Sequence, residues 1–88
     1  MNLQHGQYKN ITGTGAVTAA GGVLLGFYVN NTSSGTLVLK DGTATTGTAI
    51  SGTITPAIGW HFYPSGFGTG LYATIANTLD VTLVFRNT

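Results

Sequence analysis

The sequence predicts an all-β chain: a small antiparallel β-sandwich, jelly-roll-like, with about seven or eight short strands. Three observations predict it. Apolar residues recur with a period of two, most clearly at Leu79, Val81, Leu83 and Phe85, the spacing that puts one face of a strand against a core. Turn formers break these runs at roughly 8–12-residue intervals, as in sandwiches and barrels. Strong β-formers dominate, Glu is absent, and Leu and Lys are too few for amphipathic helices.

The elements follow in order. Gln7–Thr12 and Ala16–Ala20 read as short strands on either side of Gly13-Thr14-Gly15. Val23–Asn30 is the next strand, with Val23, Leu25, Phe27 and Val29 expected in the core. Asn31-Thr32-Ser33-Ser34-Gly35 is composed of residues that tolerate or supply turn backbone angles. It is expected to close a hairpin onto Thr36–Lys40, whose Leu37 and Leu39 face inward. Asp41-Gly42 opens another turn, and Thr43–Gly47 reads as loop. A weaker strand over Ala49–Thr55 ends at Pro56. Trp60–Tyr63 is short and extended, closed by Pro64, which has no N–H for a central ladder. Leu71–Ala76 and then Leu79–Arg86 complete the set.

Composition limits the function. Only Lys9, Lys40, Asp41, Asp80 and Arg86 are formally charged among 88 residues, where an ordinary domain carries roughly a quarter. A surface of Thr, Ser, Asn and backbone amides has little acid–base chemistry and little repulsion to keep copies apart. Three scattered cations make no nucleic-acid footprint and no attraction to anionic lipid. The longest apolar run, Val23 to Val29, is far shorter than the roughly 20 residues of a membrane span. Met1–Gly6 lacks a signal-peptide pattern, so the chain is expected to stay unsecreted. It divides into a short N-terminal arm, 1–6, and one domain, 7–88. A core of this size is modest, and without Cys tight packing or oligomerisation must supply the remaining stability.

Chemical motifs are weak. Gly66-Phe67-Gly68-Thr69-Gly70 has the glycines of a phosphate loop but lacks its Lys-Ser/Thr ending and a following helix. It reads as a turn between strands. A glycosidase pair would need Asp41 and Asp80, the only acids, to converge. Each is expected instead to accept backbone hydrogen bonds or to meet Lys40 or Arg86. His5 and His61 have no metal-ligand spacing, and no nucleophile elbow surrounds any serine. The expectation is no enzyme, no metal and no cofactor.

Two surfaces attract attention. With Val23, Leu25, Phe27 and Val29 inward, Leu24 and Tyr28 point outward, as do Val38, Tyr72 and Val84 on their strands. These five cover one another, meet a neighbouring subunit or, with the register shifted, include core residues, since monomers avoid contiguous apolar patches. The aromatic segment Trp60–Phe67 is the recognition candidate, through Trp60, Tyr63 and Phe67. Trp60 and Phe62 share one strand face and His61 and Tyr63 the other. Completion of the core is the favoured role for Trp60 and Phe62.

The stretch Gly26-Phe27-Tyr28-Val29-Asn30-Asn31-Thr32-Ser33-Ser34-Gly35-Thr36-Leu37-Val38-Leu39-Lys40-Asp41-Gly42, with Gly47–Ile50, Phe62-Tyr63-Pro64 and Gly70–Ile75, resembles small β-sandwich virion proteins of tailed bacteriophages. The resemblance covers about two thirds of the chain. It implies a capsid decoration (cement) protein made in the host cytoplasm and carried on the virion. A tail or fibre module is the alternative within that class. A carbohydrate- or receptor-binding β-sandwich is the alternative outside it. The implied partners are sister copies, in a trimer, and the major capsid or another virion protein. Little lies beyond the sandwich, so any anchoring arm is Asn2, Leu3, Gln4 and His5.

Overall fold

The computed structural model describes residues 7–88, and it is all-β: one antiparallel sheet of six strands. The strands are β1 (Gln7–Ile11), β2 (Gly15–Thr18), β3 (Gly22–Asp41), β4 (Thr48–Ala49), β5 (Gly59–Phe67) and β6 (Leu71–Asn87). Two of them, β3 with 20 residues and β6 with 17, form the spine. They pair antiparallel from Gly22↔Asn87 to Asp41↔Leu71. β1 adds to the far side of β6 through Gln7↔Phe85 to Ile11↔Val81, and β2 adds beside it through Gly15↔Ala73. On the far side of β3, β5 pairs from Gly22↔Phe67 to Val29↔Gly59, and β4 pairs at Lys40↔Ala49.

The expected hairpin at Asn31–Gly35 does not form. Val23–Asn30 and Thr36–Lys40 are two stretches of the same strand, and neither pairs with the other. Leu71–Ala76 and Leu79–Arg86 merge in the same way into β6. Both sets of turn-forming residues lie opposite one another, so they make a bulged passage instead of two chain reversals. Ser33 and Ser34 both oppose Thr78, and the register shifts between them. Ser34 (φ 53°) and Asn77 (φ 60°) take the left-handed conformation, which is costly for most residues and least so for Asn. The Asn77 amide donates to the Ser34 carbonyl at 2.8 Å, and the Gly35 N–H donates to Thr32 Oγ1 at 3.1 Å. A side chain at Gly35 would run into the Thr78 carbonyl.

Ala49–Thr55, expected as a weak strand, is regular only at Thr48–Ala49. Beyond it, Ile50 and Ser51 donate to the Leu39 carbonyl, and Leu37 and Ile54 exchange both backbone bonds. The buried Ser51 hydroxyl accepts from Leu39 N–H at 3.0 Å and donates to the Gly52 carbonyl. This segment closes the β3 edge with backbone bonds in place of a long strand.

One buried cluster takes Leu24, Phe27, Val29, Leu37 and Leu39 from β3 and Leu71, Ala73, Leu79, Val81, Leu83 and Phe85 from β6. Ile11, Val17 and Phe67 complete it. The alternation read at Leu79–Phe85 and Leu37–Leu39 is the alternation observed. Within Val23–Val29 it is observed at Phe27 and Val29 but not at Val23, which is exposed, or Leu25, which is half-buried. A register shift between Leu24 and Gly26 carries one extra residue through the ladder and moves the following side chains to the other face. Leu24 is therefore fully buried, whereas Val23, expected inside, is exposed. Leu24 is removed from the candidate interface.

Candidate functional surface

Cross-strand neighbours in an antiparallel sheet point to the same face, so the register defines the outer surface row by row. One row across β1, β6, β3 and β5 is Tyr8, Val84, Gly26 and Phe62. The next is Asn10, Thr82, Tyr28 and Trp60. Exposure follows: Tyr8 77%, Phe62 72%, Trp60 49% and Tyr28 45%. Val23 lies on the same side, paired with exposed Arg86, and Val84 is half-buried. Four large aromatics on two adjacent rows make a contiguous apolar patch of the kind that marks interaction sites.

Local sequence seats the patch on the sheet. A Cβ at Gly26 would approach Trp60 Cζ2 to 2.7 Å and Cη2 to 2.8 Å. The indole therefore lies across Gly26, which is why a glycine sits inside this strand and is buried there. On the inner side of β5, His61 stacks on Phe27 with ring centroids 5.1 Å apart, and Tyr63 leans on Phe27 at 6.4 Å. His61 Nε2 donates to the Ala57 carbonyl at 2.8 Å. These contacts anchor one face of β5 to the core and leave Trp60 and Phe62 on the other.

Next to the aromatics runs a polar group. The Asn10 amide donates to Asp80 Oδ1 at 2.7 Å and to Thr82 Oγ1 at 3.0 Å. The Asn30 amide reaches the same two atoms at 3.4 Å and 3.2 Å. Asp80 therefore serves as an acceptor on this outer face, midway along β6, while Arg86 stands near the C-terminal end of that strand. Lys9 pairs with buried Leu83 and so projects from the opposite face. Lys40 and Asp41 sit at the remote end of β3.

The sequence candidates separate accordingly. Tyr28 and Val84 are on the aromatic face, whereas Val38 and Tyr72 are half-buried on the outer side of the other half of the spine. Of the recognition set, only Trp60 is on the outer surface. Tyr63 packs inward, and Phe67 is a core residue at 5% exposure. The expectation that Trp60 and Phe62 complete the core is overturned: β5 turns His61, Tyr63 and Phe67 inward, so its alternate residues face out. Sequence reasoning missed Tyr8 and Phe62 as partners of Trp60. The alternation within Trp60–Tyr63 carried half of that signal, and the register that adds Tyr8 and Tyr28 is a tertiary property. Asn2, Leu3, Gln4 and His5 lie outside the described residues.

Asp41 answers a different question. Its carboxylate accepts from the backbone N–H groups of Gly68 and Thr69, both at 2.9 Å, and of Gly70 at 3.4 Å. The glycine-rich turn thus presents its amides to an anion, and the anion is the chain's own side chain. The bonds from Gly68 and then Thr69 hold the Asp41 carboxyl below its ordinary value of 3.8. Among the described residues no three His, Asp or Glu side chains gather as a metal site, and the surface has no enclosed pocket.

No protein-family model, curated protein or solved structure matches this chain.

Proposed function

We propose that this chain is a non-enzymatic structural protein of a virion, a capsid decoration (cement) protein that works by adhesion. One observation carries the reading: the outer face bearing Tyr8, Tyr28, Trp60 and Phe62. A face of this type suits protein docking, because aromatics contribute large contact area at low entropic cost. The virion assignment itself comes from the sequence resemblance described above. The shared core of both spine halves supports a sheet folded across its bulges into two packed layers, a jelly-roll-like sandwich. Such a chain would coat a lattice through neutral contacts and shape fit, with sister copies and a capsid or tail protein as partners.

The test is recovery of the chain from particles produced by the genome that encodes it. Density-banded particles should contain it, and the Phe62→Ser variant should remain in the supernatant with its fold intact by circular dichroism. Absence of the wild-type chain from banded particles would reject the virion reading.

A further inference from the structure

We infer that the occupant of the aromatic face is a second copy of this chain, packed face to face about a two-fold axis. The axis lies in the plane between the sheets, perpendicular to β6, and passes over Leu83. The inference rests on the reading of this face as the docking surface and names its partner.

Charge placement argues for it. The face holds two charged residues, Asp80 and Arg86, on the same side of one strand and six positions apart, so about 20 Å separates them. Between them lie Thr82 and Val84. A two-fold axis midway brings Asp80 of each copy to Arg86 of the other, and Thr82 to Val84. An apolar partner would offer Arg86 no opposite charge and would leave Asp80 with only the Asn10 and Asn30 amides.

The remaining residues follow the same operator. Phe62 of one copy meets Trp60 of the other, Tyr28 meets the indole that lies across Gly26, and Tyr8 meets Asn10. Tyr8 thereby opposes a short amide, while Phe62 and Tyr28 face the indole of the other copy in aromatic contact. Aligned sheets cross at about −30°, which turns the axis about 15° from the perpendicular to β6 and displaces groups about 10 Å from it by about 5 Å, within the reach of an arginine.

Size sets the strength. Four strands by three rows make a patch of about 15 Å by 20 Å. Pairing two copies buries on the order of 1,000 Å² in all, the low end for a specific interface. The pairing is therefore a reversible one, expected in the micromolar range.

The experiment is sedimentation equilibrium of the full chain from about 1 µM to about 1 mM, with Trp60 fluorescence read in parallel. A monomer–dimer equilibrium is expected, with Trp60 emission shifting in step. Arg86→Asp and Asp80→Arg, each alone, place like charges at both ends and should weaken pairing about tenfold or more. Mixed one to one, the two variants should recover it as a heterodimer, because each then presents what the other lacks. If Asp80→Arg does not fold, Arg86→Asp alone decides: its pairing must be weaker than wild type at low salt and approach it at high salt.

A trimer, or a mixture no tighter than the single variants, would overturn the two-fold pairing and leave the face as a docking surface. A monomer whose Trp60 responds to soluble oligosaccharides would overturn the second copy and replace it with sugar, bound beside Asn10, Asn30 and Asp80. A monomer whose Trp60 responds to neither concentration, oligosaccharide nor particles would remove the docking reading as well.

Discussion

The two halves of the β3–β6 spine use the same strands and the same alternation, yet only one displays its aromatics. The half flanked by β1 and β5 exposes Tyr8, Val23, Tyr28, Trp60 and Phe62, and Ile58 just precedes it. The half flanked by β2 and β4 has no large exposed apolar side chain among the described residues. There the outer positions are Thr36, Val38, Lys40, Tyr72 and Thr74, half-buried, and the Lys40 ammonium donates to the Thr45 carbonyl at 2.6 Å in the neighbouring loop. The nine-residue β5 and the five-residue β1 extend the spine into an aromatic platform in the first half. Short strands and loops cover the second. What differs is the neighbour, since the strand pattern itself is shared.

Substitutions at the bulge give the sharpest separation of inner from outer face. Leu24→Asp places a carboxylate in a fully buried apolar site, which is expected to cost more than about 4 kcal/mol and abolish the cooperative thermal melt. Tyr28→Asp, four positions on and exposed, should leave the melt nearly unchanged and remove self-association in sedimentation. Equal effects from the two would break the assignment of faces.

The platform itself is tested by Gly26→Ala. The new methyl meets the Trp60 indole and the His61 carbonyl, so the ring must lift or the strand must shift. A loss of about 1–3 kcal/mol is expected in denaturant titration, together with a red shift of Trp60 emission as the indole leaves the sheet. An unshifted emission would show that the ring does not rest on Gly26.

The smallest effect belongs to the second half. Asp41 fastens the end of β3 to the turn that precedes β6. Its folded pKa is depressed, so its contribution is fully present above the unfolded value near 3.8 and is lost as pH falls through the lower folded value. Asp41→Asn should lower Tm at neutral pH, and its melting temperature should converge with that of the wild type in strong acid. A constant offset at every pH would mean that the carboxylate charge has no part in the latch. Pairing through the aromatic face should be untouched by this change, since the latch lies at the other end of the spine.

Much of the interior was legible from residues alone. Leu37 and Leu39, Leu71 and Ala73, and Leu79 through Phe85 occupy the core where their alternation puts them. The outer placement of Tyr28 was also legible, although the reasoning that put Leu24 beside it failed at a bulge. No local residue preference distinguishes a strand that continues through Asn31–Ser34 with extra residues from one that reverses there. The same Asn, Ser and Gly residues serve both, because each supplies φ angles or side-chain hydrogen bonds that a bulge and a turn need equally. The outcome depends on what lies opposite, and here Thr78 and Asn77 lie opposite.

The sequence by itself determined the all-β class, the composition of the core and the near absence of charge, because alternation and residue type act through local geometry and solvent transfer. Tertiary structure decided the strand order, the phase of Val23–Leu25 and the meeting of Tyr8, Tyr28, Trp60 and Phe62 on one face. Those depend on pairings between residues 30 to 78 positions apart, set by the register of β6 against β3 and β1 and of β5 against β3. Backbone hydrogen bonds that join such distant strands are blind to side-chain identity. Only packing of the whole sheet selects among the registers they allow.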